Sequence, residues 1–145
     1  MGFDVGKYVH LFLVYVVAPI FLGAVLYYIF CPDVWFVKKL DIIFGLYGCH
    51  VFFPFSNIFI KFLRFYLMDF LWAFSLMALI WITFYDMGIH KLTILVIGFE
   101  IAMEFIQLFP HISGTFDIFD IAVEIIANIL VIYLLTKRRE TNEKV

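Results

Sequence analysis

The chain has 145 residues, of which 66% are hydrophobic, 21% aromatic and 15% charged, with a formal net charge of −2. A soluble domain of this length keeps too much surface to hide so apolar a side-chain content. The composition therefore excludes a soluble enzyme, a disordered chain and a disulfide scaffold. The acidic balance gives no basic field for nucleic acid.

The fold class expected is an all-α polytopic transmembrane bundle of four or five spans, forming a single domain over residues 1–137 with a charged tail at 138–145. An apolar run from Tyr8 to Phe30 is too long for the apolar region of a cleavable signal peptide, so it reads as a retained first span. Pro19 lies inside it and predicts a kink. Cys31 and Cys49 are the two cysteines and cannot support a disulfide framework. Residues 42–60 carry no formal charge but include Gly45, Gly48, His50, Pro54, Ser56 and Asn57. Such a stretch makes a poor span, and a re-entrant or interface-lying segment is favoured over a fifth crossing. Trp35, Phe36 and Tyr47 suit the headgroup layer.

Three more spans follow, over residues 65–84, 91–109 and 116–135. Lipid offers the backbone no hydrogen-bond partners, so stretches this apolar must be helical. Asp86-Met87-Gly88 separates the second from the third, and Pro110-His111-Ile112-Ser113-Gly114 separates the third from the fourth. Lys137-Arg138-Arg139 is the densest basic cluster. By the positive-inside rule the C-terminus is cytoplasmic, and the loop around 110–116 faces outward.

The chemistry concentrates in the last two spans. From Leu92 to Thr136 stand Glu100, Glu104, Asp117, Asp120 and Glu124, with no Lys or Arg. Glu100, Glu104 and Gln107 follow i, i+4, i+7 spacing. Asp117, Asp120, Glu124 and Asn128 follow i, i+3, i+7, i+11, so each set lines one helix face. A short connection makes the two helices antiparallel neighbours, and the stripes then face a common cavity. With Asp117 at the outer interface, Asp120 and Glu104 lie about 5–8 Å deeper. An acid at the bilayer centre costs about 2.5–3.5 kcal/mol even on the mild insertion scale. Three forms of compensation are open. Burial and like neighbours favour protonated carboxyls. Arg64, Lys61, His50 or His111 can reach in as counter-charges. A hard divalent cation can sit among Glu104, Asp117, Asp120 and Glu124; no other cofactor is evident. Asp69 lies near Arg64 and stands either in a local ion pair or at the pocket mouth.

The stretches Glu104-Phe-Ile-Gln107, Gly114-Thr115-Phe116-Asp117-Ile118-Phe119-Asp120 and Glu124 resemble the C-terminal hairpin of VanZ-like membrane proteins. Leu67-Met68-Asp69-Phe70-Leu71-Trp72 resembles the entry to the preceding span in one branch of that family. The likeness covers about half the chain, residues 65–135. It departs at Gly114, where many relatives carry Arg, at Glu124, where many carry Asn, and at Ala127, where Gly is usual. The resemblance implies a small multi-pass protein of the bacterial inner membrane, linked to glycopeptide (teicoplanin) resistance and the cell envelope.

The expected function is an outward-facing acidic pocket that binds a polar headgroup, a lipid-linked envelope intermediate or a cation. Glu104 and Asp120 are the candidate catalytic pair if the protein is an enzyme, because paired carboxyls in a low-dielectric site can share one proton. Arg64, Asp69, Glu100, Gln107, Asp117, Glu124 and Asn128 are the candidate binding residues. The alternatives are a structural subunit docking on a larger membrane complex, or a conduit for protons or small cations. The expected partners are the lipid bilayer and either a lipid-linked precursor or such a complex.

Overall fold

The computed structural model describes residues 5–31, 34–45, 58–84, 87–109 and 116–143; of residues 5, 7, 58–61, 64 and 139–143 it describes the backbone alone. The described residues contain helices and no strand. They are α1 (Val5–Phe12), a π-helical turn (Leu13–Val17), α2 (Ala18–Phe30), α3 (Trp35–Phe44), α4 (Ile58–Thr83), α5 (Ile89–Ile106) and α6 (Ile118–Glu143).

Three stretches among the described residues are long and apolar enough to cross a membrane: Tyr8–Phe30, Phe65–Thr83 and Ile118–Arg138. The expectation of four or five such spans is met by three. The third predicted span, 91–109, corresponds to α5, whose 18 residues include Lys91, Glu100 and Glu104. Those charges set it apart in composition. The helix also ends at Ile106, so Gln107 to Phe109 form a turn and do not extend the span. The helix α4 starts at Ile58, inside the ambiguous 42–60 stretch, while the second predicted span keeps its start at Phe65 within it. The helix α6 continues into the charged tail as far as Glu143. Residues 46–57, with His50, lie outside the described residues, as do Asp86 and the Pro110–Thr115 connection.

Pro19 lacks the N–H that would bond to Tyr15. The helix accommodates it by widening just upstream, and the Ala18 N–H reaches the Leu13 carbonyl instead. Such π-turns restore backbone bonding near a proline. The helix α3 was not expected. It closes on Gly45, whose left-handed φ of 67° lets its N–H bond the Asp41 carbonyl at 2.9 Å.

Ring and side-chain contacts fix the helix directions. Tyr15 stacks near Phe74, and Gly23 lies against Leu71, so the N-terminal helix runs antiparallel to α4. Tyr66 meets Phe119 edge-on, while Met77 and Trp81 share a core with Val131 and Leu135, so α4 and α6 run parallel. Phe105 pairs with Phe116 and Glu100 with Asn128, so α5 is antiparallel to α6. The first helix thus begins, and α6 ends, at one end of the bundle. The start of α4, the end of α5 and the start of α6 lie at the other end, to which α2 also delivers its C-terminus.

The helix α4 is the centre of the packing, with α2 on one side and α6 on the other. Ala73, Ala78 and Ala127 are fully buried. Small residues of this kind let helix backbones approach closely. We expect Ala127→Leu to destabilise the protein by about 1–3 kcal/mol through overpacking, measured by unfolding in detergent.

The outer surface is apolar. Phe21, Ile94, Ile118, Phe119 and Ile129 are each more than 60% exposed. Soluble monomers rarely expose continuous apolar surface on this scale, whereas a bilayer solvates it.

Candidate functional site

On α5 the buried stripe runs Leu92, Val96, Glu100, Glu104, with i, i+4 spacing throughout. Its first half is aliphatic and its second half acidic. On α6 the buried residues are Glu124, Ala127, Asn128, Val131 and Leu135. The two acidic stretches meet because α5 and α6 are antiparallel. Glu100, Glu104 and Glu124 are only 3%, 6% and 7% exposed, and Asn128 is fully enclosed. The apolar residues Ile94, Leu95, Phe99 and Ile126 point outward on the same helices. Polar groups thus line the interior at this end, and hydrocarbon covers the outside.

Specific contacts hold the cluster. Asn128 Nδ2 donates to Glu100 Oε2 at 2.6 Å, tying α6 to α5. Gln107 Nε2 donates to Glu104 Oε1 at 2.8 Å from just beyond the end of α5. Glu124 lies within electrostatic reach of Glu100, Glu104, Asp69 and Asp120. Asp69 is brought in by α4 and also faces Asp120 and Glu104. Asp117 acts on the backbone, where its Oδ1 accepts the Phe119 N–H at 2.9 Å and caps the start of α6. The Tyr66 hydroxyl reaches Asp117 from α4.

The candidate residues therefore divide by position. Asp69, Glu100, Glu104, Asp120, Glu124 and Asn128 share one interior. Gln107 and Asp117 sit at its rim. Arg64 is described by its backbone alone, and His111 and Gly114 lie outside the described residues.

Among the described residues, four buried side-chain oxygens have no hydrogen-bond partner: Glu100 Oε1, Glu104 Oε2, Glu124 Oε2 and Asn128 Oδ1. All four accept and none donates. An unpaired buried acceptor costs about 1–3 kcal/mol. The cluster thus calls for donors or positive charge, supplied either by protons on its own carboxyls or by an incoming group. Among the described residues no three His, Cys, Asp or Glu side chains form a group able to hold a metal ion.

Beyond Glu100 and Asn128 the interior turns apolar. Val96, Leu92, Val131, Leu135, Met77 and Trp81 fill it toward the chain termini. The polar region is closed at its deep end.

Two polar residues are not marked by any spacing in the sequence. Tyr66 is one. The other is Asp41, buried on α3, which accepts a hydrogen bond from the Tyr28 hydroxyl. Its partner Tyr28 lines a separate apolar groove of about 320 Å³ between α2, α3 and α4, together with Pro19, Gly23, Leu40, Leu71 and Trp72. Asp41 depends on how α3 packs against α2, and Tyr66 on how α4 meets α6.

No family model, curated protein or solved structure matches this chain.

Proposed function

We propose that this chain is a VanZ-like protein of the bacterial cell envelope that crosses the inner membrane four times. In this reading α5 makes the additional crossing, both termini are cytoplasmic, and the acidic interior opens outward to receive the polar headgroup of a lipid-linked intermediate. The observation that carries it is the set of unpartnered acceptor oxygens on Glu100, Glu104, Glu124 and Asn128, all buried between α5, α6 and α4. Intramembrane ionisable residues are expensive and mark functional positions. The motif resemblance over residues 65–135 supports the envelope assignment. The first helix starting at the end of the bundle where α6 ends supports an even number of crossings.

The apolar floor beneath Glu100 and Asn128 favours a closed binding pocket over a conduit. In this reading Glu104 and Asp120 exchange protons with a bound group, with the carboxyls of Asp69 and Glu124 close beside them.

The test combines sidedness with phenotype. In a background with both cysteines replaced by serine, Asp117→Cys reacts with an impermeant maleimide added to intact spheroplasts, and Lys137→Cys reacts only after lysis. Expression of the natural chain shifts teicoplanin susceptibility. Reversed labelling, or unchanged susceptibility, overturns the proposal.

A further inference from the structure

We infer that the group received by the acidic interior is a primary ammonium on a lipid headgroup. The inference rests on the headgroup-pocket reading and adds the chemistry of the ligand. Its basis is the uniform character of the unpaired atoms. Glu100 Oε1, Glu104 Oε2, Glu124 Oε2 and Asn128 Oδ1 are four acceptors drawn from two helices, each on a side chain more than nine-tenths buried. Asn128 is not an acid, and its carbonyl oxygen has no partner while its amide nitrogen donates to Glu100.

Candidate headgroup chemistries differ in what they bring to such a site. A phosphate or sugar carboxylate brings more acceptors and negative charge, which the carboxyls repel. A hydroxyl brings one donor together with acceptor lone pairs. A quaternary ammonium brings charge but no N–H, so it leaves the oxygens unpaired. A primary ammonium brings three donors and a positive charge in one compact group, and no acceptor. Hydrogen bonds between ionised partners are about twice as strong as neutral ones. Of these chemistries, the ammonium alone satisfies several of the four oxygens while offsetting the acids' charge. Asp69 and Asp120, half-buried beside Glu104 and Glu124, add further carboxyl oxygens next to the four.

The experiment measures lipid retention by native mass spectrometry on the full chain in detergent, with dioleoyl phosphatidylethanolamine, phosphatidylcholine and phosphatidylglycerol supplied in equal amounts. The natural protein retains one phosphatidylethanolamine about tenfold more strongly than either other lipid. Glu104→Gln and Glu124→Gln each remove that preference. Soluble ethanolamine at equal concentration leaves the lipid in place; if it displaces the lipid, the ligand is a free amine and the lipid assignment falls. Equal retention of all three lipids by the natural protein overturns the ammonium assignment without recourse to any variant. If that equal retention is still lost in Glu104→Gln, the headgroup pocket itself survives. Retention insensitive to both variants overturns the inference and the pocket together.

Discussion

Glu104→Gln and Asp120→Asn each reduce the envelope phenotype to that of cells lacking the protein, while the variants accumulate in the membrane at normal levels. Both changes keep the shape of the side chain and remove its acidity. At position 104 the amide retains an oxygen that can still accept from Gln107 Nε2, so the end of α5 stays tied. Asp120 lies in the first turn of α6 and is half-buried there. Its favourable interaction with the helix N-terminus is worth about 0.3–1 kcal/mol, too little to unfold the bundle. What disappears is the ability to carry charge or hold an exchangeable proton at the meeting point of α4, α5 and α6. Teicoplanin susceptibility and the quantity of inserted protein, measured together, check the result. Full phenotype in both variants removes these carboxyls from the mechanism.

Asn128→Leu destabilises the protein by about 1–3 kcal/mol, since it strands Glu100 in the interior. The Asn128 amide donates to Glu100 Oε2, and Glu100 Oε1 already lacks a donor. Leucine supplies none. The companion variant is the double change Glu100→Met with Asn128→Leu. It replaces a polar pair with an apolar pair of similar size and recovers most of the loss. The two positions touch, so their effects are non-additive, and a double-mutant cycle reads the coupling directly. Unfolding in detergent followed by helical circular dichroism provides the measurement. An additive cycle means that the pair does not fasten α5 to α6. The rescued double variant folds but lacks two acceptors of the pocket, which separates stability from function.

Much of this arrangement is written in residue spacing. Glu100 and Glu104 stand four apart, so a helix must place them on one face, and Glu124 and Asn128 do the same on α6. An apolar run such as Tyr8 to Phe30 leaves few choices but a helix in lipid. Spacing says less about where a helix stops. Gln107 continues the i, i+7 pattern of its stripe, yet the helix ends at Ile106, and the side chain serves Glu104 from a turn. The helix α3 was hidden because Lys38, Lys39 and Asp41 interrupt its hydropathy over only ten residues. The Tyr28 hydroxyl that meets Asp41 is thirteen positions away on another helix. Tyr66 is an ordinary aromatic until parallel packing of α4 and α6 carries its hydroxyl to Asp117. Contacts of that kind depend on three-dimensional register, which a periodic pattern does not encode.

The aliphatic layer of Val96, Leu92, Val131 and Leu135 has a bioenergetic consequence. A cluster of acids reachable from one face of a coupling membrane is a hazard if protons can hop through it. Here the stripe of acids ends at Glu100 and Asn128, and among the described residues the core packed beyond them holds no buried carboxylate, lysine, arginine or histidine. If the acidic interior opens outward as proposed, it can stay accessible from that side without offering protons a path across the membrane.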